Sequence, residues 1–158
     1  MGLSINMNRK MQELADMQFE QTWDIQNAKL IKKLYSLDGE DYYCLKKGFC
    51  FQNSKDIRSR STELSVYEWE GNEIFISYPD MSYVVTKSMM TIKQLVNQML
   101  NQFSGISFDI FISFDYEDVE LPPSSTIRFH KIREAYHIIT LDQLEEYDQP
   151  VGLCQVNI

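Results

Sequence analysis

Residues 106–120 read ISFDIFISFDYEDVE, and this stretch constrains the chain more than any other. Ile106, Phe108, Ile110, Ile112 and Phe114 alternate with Ser107, Asp109, Phe111, Ser113 and Asp115. A period of two is expected of a strand with one buried face. Such a strand needs a sheet around it and a layer of side chains packed on that face. Asp115, Glu117, Asp118 and Glu120 then follow with no positive residue between them, and Pro122-Pro123 stops any regular structure. The pattern describes a rigid strand that delivers carboxylates to a surface loop.

At 158 residues the chain suits one domain with a real core, and it is short for two. Its hydrophobic content of 44% belongs to a globular protein rather than a disordered one. The net charge of −8 argues against nucleic acid as a direct ligand, because phosphate binding needs clustered Lys and Arg. The excess is concentrated in residues 64–87 and 106–121 and in the C-terminal part. Such a distribution fits a solvated outer sheet face or a surface that meets a basic protein.

Cys44, Cys50 and Cys154 are odd in number and lack CxxC spacing, as expected of reduced thiols in a cytoplasmic protein. The N-terminus MGLSINMNRK has no signal-type apolar core, and no apolar run is long enough for a membrane span. Gly2 does not read as a myristoylation site, because Asn6 stands where Ser or Thr is needed.

Met7, Met11, Leu14 and Ala15 recur at helical spacing and predict an N-terminal helix over about 7–19, loosely attached. Residues 24–35 admit two readings. Asp24 can cap a helix through Ile25, Ala28 and Ile31, or Lys29–Leu37 can be a strand turning at Asp38-Gly39 into Tyr42–Gln52. Gly71-Asn72 predicts a two-residue hairpin between Ser65–Glu70 and Glu73–Tyr78. In that register Trp69 faces Ile74 and Tyr67 faces Ile76 on the core side, while Glu68, Glu70 and Glu73 face water. Pro79-Asp80 is then expected to turn the chain into a third strand, Ser82–Thr86. Ile92, Leu95, Val96, Met99 and Phe103 form one apolar stripe and predict a helix over 91–103, with Thr91-x-x-Gln94 at its start and Gly105 at its end. Thr126–Ile132 and Ala135–Thr140 read as strands. Thr140-x-x-Gln143 opens a short helix over Leu141–Asp148, and Pro150 ends it. The fold class expected is α+β: a single domain over 1–158, with a mainly antiparallel sheet and helices packed on one face.

The chain carries no phosphate loop, dinucleotide fingerprint, nucleophile elbow, zinc spacing or EF-hand loop. His130 and His137 are the only histidines, and in adjacent strands they can approach each other or a carboxylate and act as a general base. Their ordinary role is at the rim of a strand pair. Cys44 and Cys50 lie in apolar, strand-like contexts that suit buried thiols. Lys55, Arg58 and Arg60 form a small basic group, interleaved with Ser and broken by Asp56. It reads as a polar loop, with anion binding the alternative. The block 115–120 lacks the glycine and ligand order of a calcium loop, so neither a metal nor a cofactor is expected.

The leading expectation is a non-enzymatic, acidic, cytoplasmic protein that binds and neutralises a basic protein. An inhibitor or immunity protein for a toxin such as a nuclease is of this kind. The expected contact residues are Asp115, Tyr116, Glu117, Asp118 and Glu120, together with Glu68, Glu70 and Glu73. Tyr116 adds contact area that a solubilising loop does not need. Two alternatives remain: a small enzyme using His130 or His137 with nearby carboxylates, and a structural or adaptor module that oligomerises through a sheet edge.

Overall fold

The computed structural model describes residues 2–16, 29–36, 39–47 and 61–158. The fold is α+β. Five antiparallel strands form the main sheet in the order β1 (Leu3–Met7), β7 (Val151–Val156), β5 (Phe108–Asp115), β6 (Ser124–Lys131), β4 (Glu73–Ser77). The alternating strand read from the sequence is therefore the central one. Its Phe108, Ile110, Ile112 and Phe114 point to a front layer built by α3 (Met81–Gln102) and α1 (Arg9–Asp16). From α3, Val84, Val85, Ile92, Leu95 and Met99 pack there, and from α1, Met11 and Leu14. Asn8 ties α1 to the sheet: its side-chain oxygen accepts from Met11 N at 2.9 Å and from Val151 N at 3.1 Å. The helix is thus held by both core and cap. Its described residues are Arg9–Asp16; Met7, expected in the helix, belongs to β1 instead, and the expected continuation to residue 19 lies outside the described residues.

The rear face of the sheet is covered too, contrary to the expectation of a strand with one buried face. Phe111, Val151 and Leu153 pack against Trp69, Ile139, Leu144 and Tyr147. Phe111 and Asp109 are consequently buried, as befits a strand at the centre of a three-layered arrangement.

A second hairpin, β2 (Ile31–Tyr35) and β3 (Asp41–Leu45), confirms the strand reading of that region. Gly39 has φ 78°, the left-handed conformation that a turn here requires. Asp38, Cys50, the basic group Lys55, Arg58 and Arg60, and the expected strand beyond Lys47 lie outside the described residues. The hairpin is joined to the main sheet by side chains instead of a backbone ladder. Glu68 of α2 (Ser61–Gly71) accepts from Tyr43 N at 2.7 Å and from Lys131 N at 3.2 Å. Asn72 donates to Tyr43 O at 2.8 Å and accepts from Leu45 N at 3.1 Å. On the hairpin's other side, Gln98 of α3 accepts from Leu30 N at 2.7 Å and from Ile31 N at 2.9 Å, and donates to Ile31 O at 2.9 Å. These amide and carboxylate groups stand where neighbouring strands would, so the buried backbone is satisfied.

Three expectations are corrected. Ser65–Glu70 is not a strand but most of α2, so Trp69 and Ile74 are not cross-strand partners. Ile74 instead pairs with Ile127, and Tyr67 and Trp69 sit on the helix. The buried face of α2 consists of Leu64, Ser65 and Glu68, and its polar members hide the helical period. Ser82–Thr86 is not a strand but the first turns of α3, which Asp80 caps by accepting from Ser82 N at 2.9 Å. The Thr91-x-x-Gln94 pattern therefore lies inside the helix, whereas Gly105, with φ 82°, does follow its end. Ala135–Thr140 is not a strand either. Glu134 and Ala135 both have positive φ and form a tight turn, closed by Tyr136 N donating to Arg133 O at 2.8 Å. The short helix after Thr140 is present as a 3₁₀ helix, Leu141–Glu146, with Gln143 accepting from Thr140 N at 2.9 Å. Among the described residues no helix is long and apolar enough to cross a membrane.

Candidate functional site

The β5–β6 ladder ends where Asp115 pairs with Ser124, and the chain between them forms the acidic loop. Asp118 shapes the loop from inside by accepting from Glu120 N at 2.9 Å. Its exit is fastened to β4: Pro123 O accepts from Tyr78 N and from Ser77 Oγ, both at 3.2 Å. That fastening sets the loop beside the exposed face of β4. A groove of about 230 Å3 results, with Phe75, Tyr116, Leu121 and Pro122 as its apolar walls and Asp115 and Asp118 at its edge. A smaller depression of about 130 Å3 lies on the loop's other flank, between Glu117 and the Asp148–Pro150 segment. Asp115 and Tyr116 border both depressions and form the ridge between them.

The loop exposes apolar side chains as freely as charged ones. Val119 is 99% exposed, Leu121 65%, Phe75 61% and Tyr116 40%. Clustered, uncovered apolar groups rimmed by charge mark contact surfaces. Among the described residues the cation that approaches the loop is Lys10, 3.7 Å from Glu117, and both side chains are largely solvated. Such a pair contributes little and leaves the field of the loop negative.

All five residues expected from the acidic stretch (Asp115, Tyr116, Glu117, Asp118 and Glu120) are exposed and stand together in this loop. The second group does not join them. Glu68 is fully buried and paired with Arg133, so it offers no contact surface. Burial pushes its pKa up, while Arg133 and the N–H groups of Tyr43 and Lys131 pull against that. Glu70 is exposed at the end of α2, and Glu73 pairs with Arg128. Glu73 and Ser77 are four positions apart on β4, so Glu73 lies roughly 13 Å from the loop's end of the strand. Phe75, Ser77, Leu121, Pro122 and Ser124 complete the groove and were not among the expected residues. Their signal was faint: Phe75 alternates with the core-facing Ile74 and Ile76, and Leu121 ends the acidic run.

The histidines do come together, at the other end of the rear face. Asp109, opposite His130 on one neighbour and Gln155 on the other, is buried between them. His137 Nδ1 is 2.6 Å and His130 Nε2 3.5 Å from Asp109 Oδ2, and Gln155 donates to Asp109 Oδ1 at 3.3 Å. His130 is buried, and the His137 side chain is 30% exposed. The pairing fastens the segment after the 133–136 turn onto the sheet. Cys44 and Cys154 are buried and outside any disulfide, and burial, reinforced by the charge of Asp109, pushes the Cys154 thiol up to about 11. That thiol stays protonated and unreactive at neutral pH. Among the described residues no three His, Cys, Asp or Glu side chains are grouped so as to hold a metal ion.

No curated protein and no solved structure matches the chain. A family model does match, over residues 6–157, and with nearly the whole chain covered the protein belongs to the Uncharacterized protein PM0498 family.

Proposed function

We propose that this protein binds a basic protein through the β5–β6 loop and the groove beside it, and that it neutralises that partner as an inhibitor or immunity protein does. The observation that carries the reading is the shared groove, in which Asp115 and Asp118 edge a depression walled by Phe75, Tyr116 and Leu121. A loop serving only solubility has no use for a fully exposed Val119 and a largely exposed Leu121. Carboxylates at the rim speed encounter with a positive surface, and the apolar walls supply the buried centre that holds it. The groups with which a nuclease grips phosphate are a suitable positive surface.

The test is affinity capture with the full chain beside a Glu117→Lys/Asp118→Lys variant. A basic protein retained by the first and lost by the second supports the reading. Equal retention by both contradicts it.

A second reading rests on the Asp109–His137 pair. A part-exposed imidazole held at 2.6 Å by a buried carboxylate has the arrangement of a general base. Neither depression beside the acidic loop is lined by Asp109, His130 or His137, so the two readings occupy different places. A hydrolytic activity abolished by His137→Gln, with the fold intact, would favour this second reading.

A further inference from the structure

On the other side of β4 lies a groove of opposite charge. Three elements converge on it: the open end of the β2–β3 hairpin, the strand β4, and one face of α3. The hairpin supplies Lys29, Lys46 and Lys47, which are held together because Lys46 N donates to Leu30 O at 2.9 Å. From α3 come Lys87, Thr91 and Gln94, spaced four and three residues apart and therefore on one face. The floor is apolar, with Leu45, Ile74 and Phe75. The volume is about 510 Å3.

The charge at this groove is unbalanced. All three described arginines, together with Lys10 and Lys33, find carboxylates: Arg9 with Glu13, Arg128 with Glu73, Arg133 with Glu68, Lys10 with Glu117 and Lys33 with Asp41. Among the described residues no carboxylate pairs with Lys29, Lys46, Lys47 or Lys87. The one carboxylate in the lining, Glu73, is already engaged by Arg128. In a chain of net charge −8 the average surface repels anions, so the convergence of four lysines on one concavity, with no carboxylate partner among the described residues, is a local exception.

We propose that this groove is a second binding site, for a compact polyanion with a flat apolar body, of the class of a nucleoside triphosphate. Lysine ammonium groups hold phosphate oxygens as flexible point charges. The exposed ring of Phe75 offers a surface on which a planar group can lie. Concavities of a few hundred cubic ångström are the usual size for such ligands. The site is independent of the acidic loop and meets it only at Phe75, which borders both grooves.

The test is isothermal titration calorimetry of the full chain with magnesium-free adenosine triphosphate as the probe, beside inorganic triphosphate and a glutamate-rich peptide. The nucleotide is expected to saturate one site and to bind more tightly than inorganic triphosphate. Lys46→Gln/Lys47→Gln and, separately, Lys87→Gln should each weaken it by about tenfold, since each removes charge-assisted contacts. Phe75→Ala should weaken the nucleotide and leave inorganic triphosphate unchanged, and Glu117→Lys/Asp118→Lys should change neither. All of these side chains are exposed, and thermal melts verify that the variants fold. Absence of saturable heat with both phosphates, wild-type affinity in the lysine variants, or saturation by the peptide alone would overturn the proposal.

Discussion

Glu68 and Glu117 both sit in acidic, aromatic-rich stretches of the sequence, yet they live in opposite surroundings. Glu68 has no exposed surface and accepts from two backbone N–H groups and a guanidinium. Glu117 stands in the β5–β6 loop with one loose contact to Lys10. The first carboxylate joins two sheets and is a part of the fold. The second, with Asp115 and Asp118, is charge that the fold leaves unspent at its surface. A carboxylate's neighbours in space, not its neighbours in sequence, decide which of the two it is.

The largest expected effect breaks the buried side of this comparison. Arg133→Ala leaves the buried Glu68 carboxyl without its cation and should cost about 3–5 kcal/mol in denaturant unfolding. Replacing both partners, by Glu68→Gln with Arg133→Met, should cost distinctly less than Arg133→Ala alone. A loss below about 1 kcal/mol for Arg133→Ala, the range of an exposed pair, would mean that Glu68 is not buried as described.

Next in size is Asn72→Ala, which strips partners from Tyr43 O and Leu45 N where the hairpin meets the sheet. Each buried group left unpaired should cost about 1–3 kcal/mol, and amide exchange should rise first in β3.

The turn that positions Arg133 and His137 is expected to respond in the opposite direction. Glu134 and Ala135 hold φ of 53° and 55°, a conformation that costs L-residues roughly 1–2 kcal/mol each. Glu134→Asn/Ala135→Gly should therefore raise the melting temperature. A lower melting temperature would show that those side chains contribute more than the turn costs.

Cys154 gives a smaller, pH-dependent effect. Its thiol, pushed up to about 11 by burial and then by the charge of Asp109, holds its proton in the folded state after an unfolded thiol has ionised. The stabilisation is complete below the ordinary thiol pKa of about 8.5 and is lost as pH rises towards the folded value. Between these limits the wild type should lose stability faster than Cys154→Ala, and alkylation of the native thiol should be slow at pH 8. Equal slopes for the two proteins would contradict the shift.

The legible parts of the sequence were those where apolar pattern and burial coincide. Phe108, Ile110, Ile112 and Phe114 mark β5, and Ile92, Leu95 and Met99 mark the second half of α3. The missed elements bury polar side chains. The stripe of α3 runs on backwards through Ser88 to Val85 and Val84, but Ser88 interrupts it as a hydroxyl that bonds Val84 O and meets Ser125. In α2 the buried Ser65 and Glu68 left Val66, Tyr67 and Trp69 to suggest a strand, and Gly71-Asn72 suggested its turn. Asn72 is in fact the buried joint between β3 and β6. The edge strand β1 and the terminal β7 are short and gave no turn signal to set them off. Of the site, the charged ridge was readable as a run of residues, whereas the groove depends on β4 lying beside the loop. That adjacency follows from the pairing of β4 with β6, which no local pattern encodes.

Glu117→Lys/Asp118→Lys should shift stability by no more than about 0.5 kcal/mol, since neither side chain is buried. The same variant carries the most direct test of the central claim, that the β5–β6 loop is a recognition surface for a basic protein. Surface plasmon resonance of wild type and variant against the captured partner, from low to physiological salt, measures it. The account predicts that wild-type association slows as salt rises, and that the variant associates more slowly than the wild type and with a flattened salt dependence. Unchanged affinity and unchanged salt dependence in the variant would contradict it.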